Sequence, residues 1–348
     1  MKYDIYACSE RRSGVVWAKK SYALKMSVSS INPSNSELLV SERKHRWLKW
    51  SVAGLSVFCL WLWCLQTFSN PLDTIAEYFG FLFLGIGGAI AANSTGAGGG
   101  IVFVPSFSAL GMNIEQVIAT SIAIQCFGMT MGSLTWFYWF REKDKVSQTR
   151  TSTTTPATKT PESLSLVFKA LLICAPASIL GMWLVQYLPL PPIGDVNLIF
   201  SIFSLLFGIL VLAQIAMIGD KVSHTEQSFT RANFLLLMIA SLIGGIITAW
   251  ISVGVGEIIA VVLLLLGFSV MYSVAVGVMV SALTVLAGIA DFALQGLVVT
   301  EVLLFAAPGA MIGGLVARFI AQAMGGMRLK LFLGTWILLV GIAGILPF

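Results

Sequence analysis

Apolar segments long enough to cross a lipid bilayer follow one another from residue 47 to the end of the chain. A transmembrane helix needs about 20 consecutive apolar residues. Segments of this length occupy residues 47–68, 114–140, 164–188, 197–218, 271–294, 302–323 and 329–348. Charged residues make up 11% of the chain, against about 25% in soluble domains. We therefore predict an all-α polytopic membrane protein and exclude a soluble enzyme, a disordered protein and a disulfide-rich secreted scaffold.

Two further apolar segments are each interrupted by a glycine-rich stretch. The first segment, residues 72–111, breaks at Ser94–Gly100, and the second, residues 233–267, breaks at Ser252–Glu257. The apolar part after each break would form a helix of about 16 Å or less, too short for a hydrocarbon core about 30 Å thick. We predict that both segments are re-entrant hairpins, each made of a broken helix that enters the membrane and returns to the same side.

The two breaks belong to an internal repeat. Gly87-Gly88 matches Gly244-Gly245 at an offset of 157 residues, and the breaks coincide at that same offset. Residues 72–218 and 233–348 therefore form repeat 1 and repeat 2, each a re-entrant hairpin followed by three transmembrane helices. The second repeat lacks the polar loop 141–163 of the first.

The distribution of charge predicts how the chain is oriented. Residues 1–46 are polar and carry many Lys and Arg, which predicts a disordered cytoplasmic tail ahead of one extra transmembrane helix at 47–68. The remaining Lys and Arg concentrate in 141–163, 219–232 and 325–330, and the positive-inside rule places these segments in the cytoplasm. Counting crossings then puts the C-terminus outside and brings the two hairpins in from opposite faces, so the repeats are inverted. A bacterial inner membrane is the expected location.

The residue types that most cofactor and metal sites need are scarce. Histidine occurs only as His45 and His224, and the five cysteines have no metal-ligand spacing. No nucleotide-binding loop is present, and little basic charge remains outside the tail for nucleic acid. The sequence therefore predicts no cofactor, no metal, no catalytic residue and no nucleic-acid partner. The lipid bilayer and a small anionic substrate are the expected partners, and a homodimer is left open.

Both breaks precede a short helix, whose first N–H groups are free and carry partial positive charge. Glycine lets such groups approach a ligand closely. With no Lys or Arg expected at that depth, we predict that the two breaks meet near the midplane and bind an anion through backbone dipoles and hydroxyl groups. The predicted binding residues of the breaks are Asn93, Ser94, Thr95, Gly98, Gly99, Gly100, Ser252, Gly254 and Gly256. The alternative is that these glycines serve only close helix packing.

The spans that follow the breaks add further polar groups. Thr120, Ser121 and Gln125 lie in the first of these spans, and Ser281 occupies the position in the second that matches Gln125. We expect Thr120 and Ser121 to reach the first break. The alternative is that Ser and Thr hydroxyls bond back to their own helix.

Glu257 is the one acid expected deep in the membrane. An ionisable residue at that depth is a functional candidate by default, and we expect Glu257 to carry a proton exchanged with the transported anion. The alternative is that Glu257 only caps the N-terminus of the short helix, which an ionised carboxylate suits.

Several motifs resemble the TauE/SafE family of membrane transporters over roughly residues 72–348. They are Gly85-Ile86-Gly87-Gly88, Ser94–Gly100 followed by Pro105, Ala119-Thr120-Ser121-Ile122, and an Ala-Pro pair with a glycine five positions after the proline, which occurs twice. The resemblance implies export or uptake of sulfur-containing oxyanions such as sulfite, sulfoacetate or thiosulfate. The chain departs from the family at Gly256-Glu257, where another glycine is frequent, and at Val276-Gly277-Val278, which lacks a Thr-Ser pair.

These patterns together favour a secondary transporter of a small anion that works by alternating access around the two breaks. A passive anion channel of the same architecture is the main alternative. An intramembrane enzyme would need a convergent acid–base or metal cluster, which one deep acid does not supply. A membrane scaffold would not need two paired half-helices.

Overall fold

The computed structural model describes residues 59, 61–68, 70–151, 163–188, 190–191, 194–218 and 230–345. The predicted tail and most of the predicted first transmembrane helix lie outside the described residues. The chain divides into two units, residues 1–63 and 64–348. Of the first unit, residue 59 and residues 61–63 are described, and they are helical. The architecture that follows is that of the second unit.

Helices make up the described part of the second unit, which contains no strand. In chain order they are α1 Pro71–Tyr78, α2 Gly80–Thr95, α3 Gly100–Ala109, α4 Ile114–Thr151, α5 Leu164–Tyr187, α6 Val196–Ile218, α7 Arg231–Ile251, α8 Val255–Leu265, α9 Val270–Leu294, α10 Thr300–Met324 and α11 Gly326–Ile345. By length and composition α4, α5, α7, α9 and α10 can each cross a membrane, and α1 with α2, bent by 45°, can form a sixth span. The prediction of an all-helical membrane protein is confirmed.

Helix α4 runs further than the sequence analysis predicts. A polar loop was expected from residue 141 to residue 163, but α4 continues to Thr151. Residues 141–151 contain neither Gly nor Pro and are rich in Lys, Arg, Glu and Gln, which favour helix. The loop prediction is therefore wrong for these residues, because the loss of apolar character ends a membrane span without ending a helix. Asp144, in this extension, accepts a hydrogen bond at 2.9 Å from the Leu164 amide at the start of α5.

Helices from the two halves of the chain pack in matching pairs. Helix α2 packs along α10, and its counterpart α7 packs along α5. Helix α4 contacts α9, and α6 contacts α11. If α2–α6 are matched in order with α7–α11, every one of these four contacts has its counterpart in the other half or is its own counterpart. The first helix of each hairpin therefore lies beside the fourth helix of the other half.

Two matching glycines allow these close crossings. A Cβ on Gly181 of α5 would overlap the carbonyl of Leu242 in α7, and a Cβ on Gly313 of α10 would overlap the carbonyl of Ile86 in α2. Small residues at helix crossings let backbones approach in this way. Packing glycines of this kind lie outside the two breaks.

Each hairpin ends inside the protein. Residues 92–101 and residues 251–257 are buried without exception. Around them lie large buried side chains, among them Phe103, Trp136 and Tyr272. Non-helical backbone in a membrane protein is tolerated where it is buried in protein or lines a wet cavity, and both breaks meet that condition.

Candidate functional site

The first break is a sharp turn centred on one glycine. Helix α2 ends at Thr95, and Gly96 follows with φ of +83° in the left-handed region. Residues with a Cβ rarely adopt this conformation, and a left-handed glycine is a frequent helix terminator. Helix α3 then begins at Gly100, so Gly98 and Gly99 present their amides at the start of a new helix.

The second break holds Ser252 in a strained conformation. Helix α7 ends at Ile251, and Ser252 has φ of +61°, the only positive value at a non-glycine residue in the described part of the chain. Such a residue costs on the order of 1–3 kcal/mol and persists where its surroundings fix it. The Ser252 hydroxyl donates to the Ser121 hydroxyl at 2.8 Å and accepts from Nε2 of Gln125 at 2.8 Å.

The structure brings the two breaks into contact. A Cβ on Gly100 would overlap the carbonyl of Ser252, and a Cβ on Gly256 would overlap the carbonyl of Gly96 and the hydroxyl of Ser281. Glycine is required at both positions because the backbone of one break lies directly against the other. The two ends therefore share one buried location.

One carboxylate joins the two breaks. Oε1 of Glu257 accepts from the Gly98 amide at 2.5 Å, and Oε2 accepts from the Gly254 amide at 2.9 Å. Glu257 is 1% exposed, and among the described residues it is the only buried side chain of the Asp, Glu, Lys, Arg or His type. The second bond is the cap of α8 that the sequence offers as the alternative role of Glu257. The first bond goes beyond capping, because its donor belongs to the other break.

Gln125 forms a second bridge between the breaks. Its Oε1 accepts from the Gly99 amide at 3.0 Å, and its Nε2 donates to the carbonyl oxygen of Ser252 at 3.1 Å. Nε2 also lies 3.2 Å from the hydroxyl of Ser121. Gln125 is 2% exposed, so these partners replace water for a buried amide.

The other polar residues predicted in the first break use their side chains locally. The hydroxyls of Ser94 and Thr95 donate to the carbonyl of Ala91 in their own helix, at 3.3 and 2.6 Å. Nδ2 of Asn93 donates to the Ala89 carbonyl at 2.8 Å. Oδ1 of Asn93 is buried, and no residue in the described part of the chain bonds to it. The hydroxyls of Ser94 and Thr95 therefore return to their own helix.

The polar residues predicted in the following spans lie in different places. Ser121 reaches Ser252 in the second break, although it was expected at the first. The hydroxyl of Thr120 accepts from the amide of Val299 at 2.9 Å, immediately before α10. Ser281 lies beside Gly256, and its buried hydroxyl has no hydrogen-bond partner among the described residues.

Thr248 is a further residue of the site that the sequence analysis missed. Its hydroxyl accepts from the Val255 amide at 2.9 Å and donates to the Gly244 carbonyl at 2.8 Å, so it spans the second break. The spacing could have revealed it, since Thr248 lies one helical turn before Ser252 and therefore close to the second break. In the sequence, a single threonine among the apolar residues before a break does not distinguish a site residue from the rest of the span.

Little free space remains where the breaks meet. A cavity of about 10 Å³ adjoins Glu257, room for roughly one water molecule. Besides Glu257 it is lined by Thr95 and by apolar side chains of α6, α8, α9 and α11. A larger cavity of about 340 Å³ lies between α2, α3, α10 and α11, and Ser94 is the one hydroxyl residue that the described part of the chain contributes to its apolar lining. Among the described residues no group of three or more His, Cys, Asp or Glu side chains could hold a metal ion.

A comparison with protein families identifies what kind of protein carries this site. The model of the family described as "Sulfite exporter TauE/SafE" matches residues 81–344. The chain belongs to the TauE/SafE family. The resemblance found in the sequence motifs is thereby confirmed. TauE/SafE proteins are membrane transporters and not enzymes, so the chain is an integral membrane transporter.

The family match includes the whole candidate site. Both breaks, Gln125, Glu257 and Ser281 lie within residues 81–344, whereas the predicted tail and first transmembrane helix lie outside. Searches of curated proteins and of solved structures returned no match. The details of this transporter therefore rest on its own residues.

Proposed function

We propose that this transporter is a secondary carrier of a small anion, a sulfur oxyanion or organosulfonate such as sulfite, sulfoacetate or thiosulfate, and that the anion binds where the two breaks meet. One observation carries the proposal. The carboxylate of Glu257 is itself an oxyanion, and it is bound by one amide from each break, Gly98 and Gly254. A pair of amides that binds a carboxylate offers the same donors to a sulfonate or to sulfite. The family supplies the sulfur chemistry.

Backbone dipoles supply the positive potential of this site. Helices α3 and α8 begin at the two breaks, and the N-terminus of a helix carries about half a positive charge. No Lys or Arg of the described residues is buried. An anion held only by amides and hydroxyls can leave more easily than one held by a buried cation, which suits a carrier. We propose that the remaining predicted residues, above all Gln125, Ser121 and Ser281, complete its surroundings.

We further propose that the two repeats are inverted and exchange access to the site between the two faces of the membrane. The matching helix pairs support this, as does the length of α3 and α8, at 10 and 11 residues. Helix α7 is long enough for a full span, but its end at Ile251 is buried against the first break. In this topology the N-terminus is cytoplasmic, the C-terminus lies outside, and the membrane is the bacterial inner membrane.

Glu257 is the proposed proton carrier. A carboxylate that loses its amide partners inside the protein is expected to take up a proton, because an isolated buried charge is costly. Among the described residues, no other ionisable side chain lines the cavity beside it, whose walls are Thr95 and eight apolar residues from α6, α8, α9 and α11. Anion and proton would then cross the membrane in the same direction, and not in exchange as the sequence analysis expects.

Counterflow in proteoliposomes tests this function. Vesicles holding the purified protein are loaded with unlabelled sulfite, sulfoacetate or thiosulfate, and uptake of the same labelled anion is followed. A carrier accumulates label transiently above the external concentration, whereas a channel only equilibrates it. Failure of all three anions to show counterflow would contradict the proposed substrate class, and equilibration without overshoot would favour the channel.

A further inference from the structure

The two amides proposed to bind the transported anion already have an acceptor. Gly98 and Gly254 both donate to the carboxylate of Glu257, which lies where the two breaks meet. The carboxylate uses one oxygen for each break. A sulfite or sulfonate group bound by the same two donors would need the same two positions for its own oxygens.

The carboxylate and the anion cannot occupy these positions together. The backbones of the two breaks are in contact at Gly100 and at Gly256, and the cavity beside Glu257 measures about 10 Å³. Two negative groups side by side would also repel each other strongly in a low-dielectric interior. Binding of the anion therefore requires the carboxylate to leave.

A second feature indicates that the location is suited to a larger oxyanion than a carboxylate. The hydroxyl of Ser281 is buried beside Gly256 and has no hydrogen-bond partner. A carboxylate has two oxygens, both already bonded to amides, whereas sulfite and sulfonates have three. In the anion complex inferred below, the hydroxyl of Ser281 donates to the third oxygen, for which Glu257 has no counterpart.

From these contacts we propose that Glu257 is a built-in competitor of the transported anion. Its carboxylate holds the Gly98 and Gly254 amides in the resting transporter, and the anion binds by displacing it. This inference rests on the proposed function. Only the second repeat carries such a carboxylate, because the residue in the first break that matches Glu257 is Gly100. The anion binds only to molecules whose carboxylate has left the amides. Its apparent affinity is therefore the intrinsic affinity multiplied by the fraction of such molecules.

Binding measurements on the purified protein test this competition. The dissociation constant of sulfite is measured by calorimetry for the wild type, Glu257→Ala and Glu257→Gln, with Glu301→Ala as an acid removed outside the site. We expect Glu257→Ala to bind sulfite at least tenfold more tightly than the wild type, Glu257→Gln to lie between them, and Glu301→Ala to match the wild type. If Glu257→Ala does not fold, the tighter binding of Glu257→Gln carries the test.

Added formate supplies a carboxylate that is not attached to the protein. Formate is expected to weaken sulfite binding to Glu257→Ala, whose amides it can reach, and to leave wild-type binding nearly unchanged. Sulfite affinity that is unchanged or lower in both variants while the wild type binds would overturn the competition and leave the proposed function standing. Absence of sulfite binding in the wild type and in both variants would overturn the two together.

Discussion

Gly98 and Glu257 lie 159 positions apart in the chain, and the amide of Gly98 donates to Oε1 of Glu257 at 2.5 Å. This bond joins the glycine-rich break of one half of the chain to the short helix of the other. Gln125 makes a parallel connection from Gly99 to Ser252. The account of the site depends on these two bridges, and the predictions below separate their contributions.

Gly100→Ala is expected to abolish transport. The added Cβ would overlap the Ser252 carbonyl, so the two breaks must move apart at a cost of about 1–3 kcal/mol. Gly87→Ala is the matched control, because Gly87 lies in α2 with open space where a Cβ would be added. Counterflow of labelled sulfite by each variant is the measurement. Wild-type activity of Gly100→Ala would show that the breaks do not need this contact.

Gln125→Leu is expected to lower the free energy of unfolding by at least about 2 kcal/mol, because it leaves the buried amide of Gly99 and the strained Ser252 without their partner. Transport should be lost as well. Thermal unfolding in detergent measures the loss, with Gln295→Leu, an exposed glutamine, as the control. Equal stability of the two variants would mean that the Gln125 bridge contributes nothing to holding the breaks.

The positions of the two breaks could be predicted from the sequence, whereas the hydrogen bonds that join them could not. Each break contains a glycine with positive φ, Gly96 in the first and Gly254 in the second, and the glycine-rich stretches around them revealed both breaks. The bond from Gly98 to Glu257 was not predictable, because a carboxylate that caps its own helix gives no sign of a second donor from another part of the chain. The position of Thr120 was also hidden, since a hydroxyl shows no preference for Val299 over the first break in the sequence.

The ends and bends of helices without a glycine-rich break were harder to predict from the sequence. The apolar residues of α4 end at about Arg141, but helix propensity continues to Thr151. The 45° bend between α1 and α2, which lies immediately before Gly80, was also not predicted, because single glycines are frequent in membrane helices and need not bend them. Only Gly and Pro interrupt a helix visibly in such a sequence.

Ser281→Ala is expected to weaken sulfite binding without changing stability. The hydroxyl has no partner to lose in the resting protein, and one hydrogen bond to the anion contributes about 0.5–1.5 kcal/mol, roughly two- to tenfold in affinity. Ser273→Ala is the control, since Ser273 is a buried hydroxyl of the same helix and is also without a partner. Calorimetry and thermal unfolding give the two quantities. Equal sulfite affinity in both variants would exclude Ser281 from the binding site.

Glu257→Gln is expected to retain anion binding and to lose the pH dependence of transport. In the wild type an inward proton gradient should accelerate sulfite uptake, because the displaced carboxylate takes up a proton that crosses with the anion. The glutamine cannot carry this proton, so uptake by the variant should follow the anion gradient alone. Uptake is compared in proteoliposomes with and without a pH gradient. A variant as responsive to the gradient as the wild type would remove Glu257 from the coupling.

The most direct test of the account is a structure of the protein with a bromine-labelled organosulfonate such as 2-bromoethanesulfonate. Anomalous scattering from bromine locates the ligand independently of its shape. The account predicts sulfonate oxygens within hydrogen-bond distance of the Gly98 and Gly254 amides, with the carboxylate of Glu257 moved away from both. A sulfonate bound elsewhere, for example in the cavity beside Ser94, with the bond from Gly98 to Glu257 intact, would contradict it.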